Sequence, residues 1–183
     1  MSTLVVNKVE ARDTQTLLNT SGNIIQVVYA RTDATNTYAS AVTGDGTTIT
    51  DLNISITPTN ANNRLICQWM INFEVHWDNV FLIHRDGALI TTVGEEGRNN
   101  LSNNRWVGYS PIRYDIDNST TPDNMFMMYS QIAGSTASRT YAPAIRASGG
   151  TAYTLYLNRV VNSTGTDFQE NMVSTAVIYE VVV

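Results

Sequence analysis

The chain has 183 residues, 43% of them hydrophobic and only 15% charged, with a formal net charge of −5. That length and composition suit one domain with a substantial core and argue against a disordered chain. Of the 11 basic residues only Lys8 is lysine and the arginines stand singly, so no basic stripe exists to hold nucleic acid.

In chain order, the opening "MSTLVVNKVEARD" lacks the basic start and apolar run of a secretion signal. No stretch approaches the ~20 apolar residues that span a bilayer. The expectation is a protein made in a cytoplasm, with no membrane insertion. Residues 1–22 alternate weakly, carry too few apolar side chains for a core of their own and end in Ser-Gly. They are predicted to form an extended N-terminal arm, ordered only when Leu4, Val6, Val9, Leu17 and Leu18 are buried against something else. Residues 23–183 form the body.

The body is read as strands. "NIIQVVYA" at 23–30 and "MFMMYSQ" at 125–131 are dense apolar runs, as expected of strands buried on both sides. Between them, "DLNISITPTNANNRLICQWMINFEVHW" at 51–77 holds two alternating runs. Pro58 ends the first, after Ile56. In the second, Leu65, Cys67, Trp69, Ile71, Phe73 and Val75 share one parity, while Ile66 and Met70 lie among Gln68, Asn72, Glu74 and His76 on the other. Cys67, the sole cysteine, is thereby expected to be a buried, inert thiol.

"RDGA" at 85–88 is a strong hairpin signal that pairs Arg85 with Ala88 and sets Ile83 opposite Ile90. "SGG" at 148–150 precedes a strand from Thr151, and "MVSTAVIYEVVV" closes the chain. With no helical periodicity and roughly eight strands or more, the predicted fold is all-β: a jelly-roll-like two-sheet antiparallel sandwich with an extended N-terminal arm.

No catalytic constellation emerges. A tight turn at Asp78–Asn79 would place His84 opposite Phe73, away from His76, with both histidines on the surface or rim and no third metal ligand. Glu95 and Glu96 read as a solvated loop rather than a carboxylate pair. "DIDNSTTPDN" at 115–124 is oxygen-rich but lacks the geometry of a calcium loop. Nucleophile-elbow, phosphate-loop and dinucleotide motifs are missing. The reading is a non-enzymatic protein with no catalytic residues, no metal and no cofactor. The loop at 94–106, with Asn103, Asn104 and Trp106, has the aromatic and amide character of a glycan-binding loop, or else Trp106 plugs the end of the sandwich.

The succession "SGNIIQVVYARTDAT", "DLNISITPTNANNRLICQW", "FLIHRDGALI", "SGGTAYTLYLNR" and "STAVIYEVVV" resembles a family of bacteriophage virion proteins whose members are labelled tail-fibre, receptor-binding or head-decoration proteins. The opening "MSTLVVNKVEAR" also resembles a short mounting segment of phage fibre proteins, but no long shaft follows it. The resemblance implies a homotrimeric jelly-roll head on the virion, held by its arm to the major capsid protein or another virion protein. Two roles stay open: a capsid decoration, cement or short spike protein, and a receptor-binding fibre tip for host surface glycan.

The residues add a physical argument for self-association. In the last strand Val173, Val177, Tyr179, Val181 and Val183 alternate with Met172, Ala176, Ile178 and Val182, so both faces are apolar. One face of a solitary sandwich lies in water, so one of these needs a second cover. The predicted trimer interface is Ile66, Met70, Ala176 and Ile178.

Overall fold

The alternating runs become strands stacked in two layers. The structure is a computed structural model that describes residues 21–97, 99–101, 105–111, 121–162 and 170–183; the arm residues Leu4, Val6, Val9, Leu17 and Leu18 lie outside them. In chain order the strands are β1 (Ile24–Thr32), β2 (Thr37–Ala39), β3 (Thr47–Thr48), β4 (Ile54–Ile56), β5 (Arg64–Val75), β6 (Asn79–Arg85) and β7 (Ala88–Leu89). They continue as β8 (Asn99–Leu101), β9 (Arg105–Val107), β10 (Asp123–Ile132), β11 (Arg139–Ala147), β12 (Thr154–Leu157) and β13 (Ser174–Val181). Among the described residues the only helical element is a 3-10 turn at Thr50–Leu52.

One sheet runs β1-β13-β5-β12-β2, with β10 on the other side of β5. The second runs β3-β11-β6-β7, with β4 also on β11. β8 and β9 form a separate hairpin. Among the described residues all the strand pairs are antiparallel, and the chain changes sheet from β2 to β3, β4 to β5, β5 to β6, β10 to β11 and β11 to β12. The expected all-β, jelly-roll-like sandwich is what the chain forms.

The core follows the parity of β5. Leu65, Cys67, Trp69, Ile71 and Phe73 are fully buried, and Phe73 meets Phe81 of the second sheet with ring centroids 5.2 Å apart. The Trp69 indole N–H donates to the Leu52 carbonyl at 3.1 Å, so its polar handle is satisfied inside the core. Burial pushes the Cys67 thiol well above its ordinary pKa, which keeps it protonated and unreactive. β10 departs from expectation: Met125, Met127 and Tyr129 are buried, but Phe126 and Met128 point outward and are exposed. β1 likewise exposes Ile24, Val27 and Tyr29.

The Asp-Gly hairpin forms as expected, with Asp86 at φ 55 and Gly87 at φ 80, the left-handed pair that such a turn demands. The Ile90 N–H donates to the Ile83 carbonyl at 3.3 Å. Asp78–Asn79, by contrast, is not a hairpin turn. Trp77 adopts φ 62, and the Asn79 amide donates to the carbonyls of His76 (2.9 Å) and Trp77 (3.2 Å). This corner sends the chain from β5 into the other sheet, so His84 does not lie opposite Phe73, nor is it a surface histidine. It is buried, with Nε2 2.8 Å from the Asp45 carbonyl and Nδ1 2.7 Å from Thr48 Oγ1. A carbonyl only accepts, so Nε2 carries the proton.

The free edge of β6 is closed by returning chain. Phe81 exchanges backbone hydrogen bonds with Tyr109, and the Ile83 N–H donates to the Gly97 carbonyl. A Cβ on Gly97 or Gly108 would stand 2.4 Å from the Ile83 or Phe81 carbonyl oxygen, so only glycine permits the approach. Gly97→Ala and Gly108→Ala are each expected to cost about 2–3 kcal/mol in urea unfolding, the range of an overpacked site. Gly149→Ala, with open space around it, is the control and should be near neutral. Equal midpoints for all three would contradict the close approach.

Candidate functional site

The cross-strand register assembles one continuous outward face on the larger sheet. Four rows run across β10, β5, β13 and β1: Phe126-Met70-Thr175-Arg31, Met128-Gln68-Val177-Tyr29, Ser130-Ile66-Tyr179-Val27 and Ile132-Arg64-Val181-Ile24. Paired residues in an antiparallel ladder project to the same side, so each row is a set of side-chain neighbours. Tyr29 is 62% exposed, and Phe126 and Met128 are 54% exposed each. A shallow depression of about 230 Å³ lies in the upper rows, bounded by Tyr29, Met70, Phe126, Val177 and Tyr179, with Gln68 in its lining.

Ile66 and Met70 therefore stand on the outward face, as expected from sequence. Ala176 and Ile178 do not. Ile178 pairs with Cys67 and Ala176 with Trp69, so both share the inward side of β5 and are buried in the core. Their outward neighbours Val177 and Tyr179 occupy the face instead. Asn103 and Asn104 lie outside the described residues, and Trp106 stands in β9 opposite Asn100 of β8.

The opposite face of the sandwich is closed by the chain itself. Val80, Leu82, Ala142, Ala144 and Arg146 point away from the core yet are buried. The Ala41–Gly46 loop lies over them: the Arg146 guanidinium donates to the carbonyls of Val42 (3.1 Å) and Gly44 (3.0 Å), and His84 bonds Asp45. A Cβ on Gly46 would come within 3.4 Å of Leu82 Cδ1, which shows how tightly the loop is laid down. One outer face has its own cover. The other has none among the described residues.

Two polar clusters escaped the sequence reading. Glu180, fully buried in β13, accepts at Oε1 from the Thr59 N–H (2.8 Å), Thr59 Oγ1 (2.7 Å), the Asn60 N–H (3.3 Å) and Asn63 Nδ2 (2.7 Å). With its amide nitrogen turned inward, Gln26 of β1 donates to Glu180 Oε2 at 2.9 Å. Burial raises the Glu180 pKa, but the donors from Asn63, Thr59 and Asn60 outweigh it and hold the carboxyl below its ordinary value. The one readable signal was an acidic residue inside an otherwise apolar strand; that its parity faces inward follows only from the pairing of Glu180 with Leu65. Glu95, expected in a solvated loop, instead accepts from the Ile132 N–H at 2.8 Å, and its carbonyl accepts from the Tyr129 hydroxyl at 2.6 Å. It fastens its loop to the edge of β10, where the Tyr109 hydroxyl also donates to the Met128 carbonyl.

These polar groups are spent on holding loops. Among the described residues no group of three or more His, Cys, Asp or Glu side chains is placed to hold a metal ion, and no helix is long and apolar enough to cross a membrane. A groove of about 280 Å³ beside His84 and Asp86 offers few free partners, because Asp86 already accepts from the Thr140 N–H (2.8 Å) and Arg139. No protein-family model matches the chain, and no curated protein matches it significantly.

Proposed function

We propose that this protein is a non-enzymatic structural subunit of a bacteriophage virion. In this reading it works as a homotrimer whose copies meet through the outward face of the larger sheet. Residues 1–22 act as the arm that attaches it to the particle as a decoration or short spike. The virion setting and the trimeric state are supported by the family resemblance in the sequence. Self-contact is supported by the face.

The observation that carries self-contact is the size and character of that surface. Ile24, Val27, Tyr29, Met70, Phe126 and Met128 leave on the order of 600 Å² in water, the upper end of the largest patch on a typical monomer. Half-buried Ile66, Val177, Tyr179 and Val181 extend it toward the ~800 Å² that each partner contributes to a standard interface. At ~25 cal/mol per Å², covering 600 Å² yields about 15 kcal/mol of gross transfer free energy. That is enough to offset an association cost of about 4–15 kcal/mol only if most of the face is covered.

Charge does not bar a second copy as the cover. The chain carries −5, so copies repel one another on average, yet the sixteen positions of the four rows include no aspartate or glutamate, and their two charged residues, Arg31 and Arg64, stand in the first and the last row. Light scattering of the purified protein at micromolar concentration tests the reading. A single species at three times 20.2 kDa is expected; a monomer at that concentration overturns it.

A further inference from the structure

Gln68 is the one carboxamide within the four rows. It sits on an inner strand, between Met128 and Val177 in its row and between Ile66 and Met70 along β5. Among the described residues its sole hydrogen bond is a weak one, Nε2 to the Met128 sulfur at 3.6 Å, and its carboxamide oxygen meets no donor. In the free protomer these groups are accessible to water, because Gln68 lines an open depression. Covering the face removes that water. A buried carboxamide must then find partners or destabilise the contact, which restricts how a second copy can be placed.

We infer that Gln68 is the register-setting residue of the self-contact: its carboxamide hydrogen-bonds a polar group of the neighbouring copy and selects one stoichiometry. The inference rests on the assembly reading above. The surrounding residues explain why such a device is needed. Methionine, valine and isoleucine tolerate many packings, so an apolar face alone admits several alignments of similar free energy. A single polar group that is satisfied in only one alignment separates them, as a lone asparagine does in coiled coils. The hydroxyl groups of Tyr29, Tyr179 and Thr175 flank Gln68, and a neighbouring copy would present them in these rows together with Ser130, Arg31, Arg64 and Gln68 itself.

Gln68→Leu and Gln68→Glu test this by native mass spectrometry, with circular dichroism as the check on folding. The position faces outward, so both variants should fold as the wild type does. Gln68→Leu is expected to replace the single wild-type species with a mixture of stoichiometries. Gln68→Glu is expected to weaken assembly at least about a hundredfold at pH 7, and to regain it near pH 5, because a carboxyl trapped at a desolvated contact takes up a proton above its ordinary pKa. A wild-type protein that is assembled, with both variants giving the same single species at the same concentrations, would overturn the role of Gln68 and leave the assembly reading intact. A monomeric wild type would instead overturn the assembly reading.

Discussion

Tyr179→Asp is expected to release folded monomers, whereas Ile178→Asp, one residue earlier, is expected to unfold the protomer. Tyr179 lies in the third row of the outward face, between Ile66 and Val27. An aspartate there remains hydrated in the free chain, so its effect on protomer stability should stay within about 1 kcal/mol. In the assembly the same carboxylate would be desolvated beside apolar side chains, a loss of at least about 3 kcal/mol and hence more than a hundredfold in the assembly constant. Ile178 is 0% exposed and packs against Cys67 in the core. An unpaired carboxylate there, together with the lost packing, should cost about 5 kcal/mol or more, comparable with the whole stability of a domain. Light scattering and near-ultraviolet circular dichroism separate the outcomes. If Tyr179→Asp remains fully assembled, the outward face is not the contact.

Glu180→Ala is the second large effect, about 3–5 kcal/mol at pH 7, since it strands the buried donors of Thr59, Asn60, Asn63 and Gln26. These donors tie the turn at 57–63, which launches β5, to β13 and β1. The pH dependence follows from the direction of the Glu180 shift. Its folded pKa lies below the unfolded value of about 4.3. Between the two values the unfolded chain binds the extra proton, so stability falls with falling pH there. The contribution is complete above about pH 5 and is lost as pH drops through the folded pKa. Urea unfolding at pH 7 and at pH 3 should therefore show the gap between wild type and Glu180→Ala narrowing in acid. An equal gap at both values would mean that charge is not what these five donors recognise.

Two further features show how far residue patterns reach. The Asp-Gly turn could be placed to the residue, because its left-handed backbone is a local property of Asp86 and Gly87. The outward placement of Ile66 and Met70 was legible for a related reason: their neighbours Leu65, Cys67, Trp69 and Ile71 form an unbroken apolar parity that must go inside. The path after Trp77 was not legible. A turn into the same sheet and a corner into the other use similar residues, and the choice is made by where β11 and β5 offer open edges.

The sequence by itself determined the class of fold, the inward side of β5 and the excess of apolar surface. Period-two alternation is a property of each strand alone, and the surplus of outward apolar residues is a matter of composition. Only the tertiary structure decided which face of β13 is spare. Its two parities are both apolar, so the pattern is degenerate, and Ala176 and Ile178 read from sequence as no less outward than Val177 and Tyr179. Register removes the degeneracy: Ile178 pairs with Cys67 and Tyr179 with Ile66, and paired residues share a side. The unambiguous strand thereby imposes its direction on the ambiguous one. The same pairing of Glu180 with Leu65 turned that carboxylate inward, toward donors more than a hundred residues away in the chain.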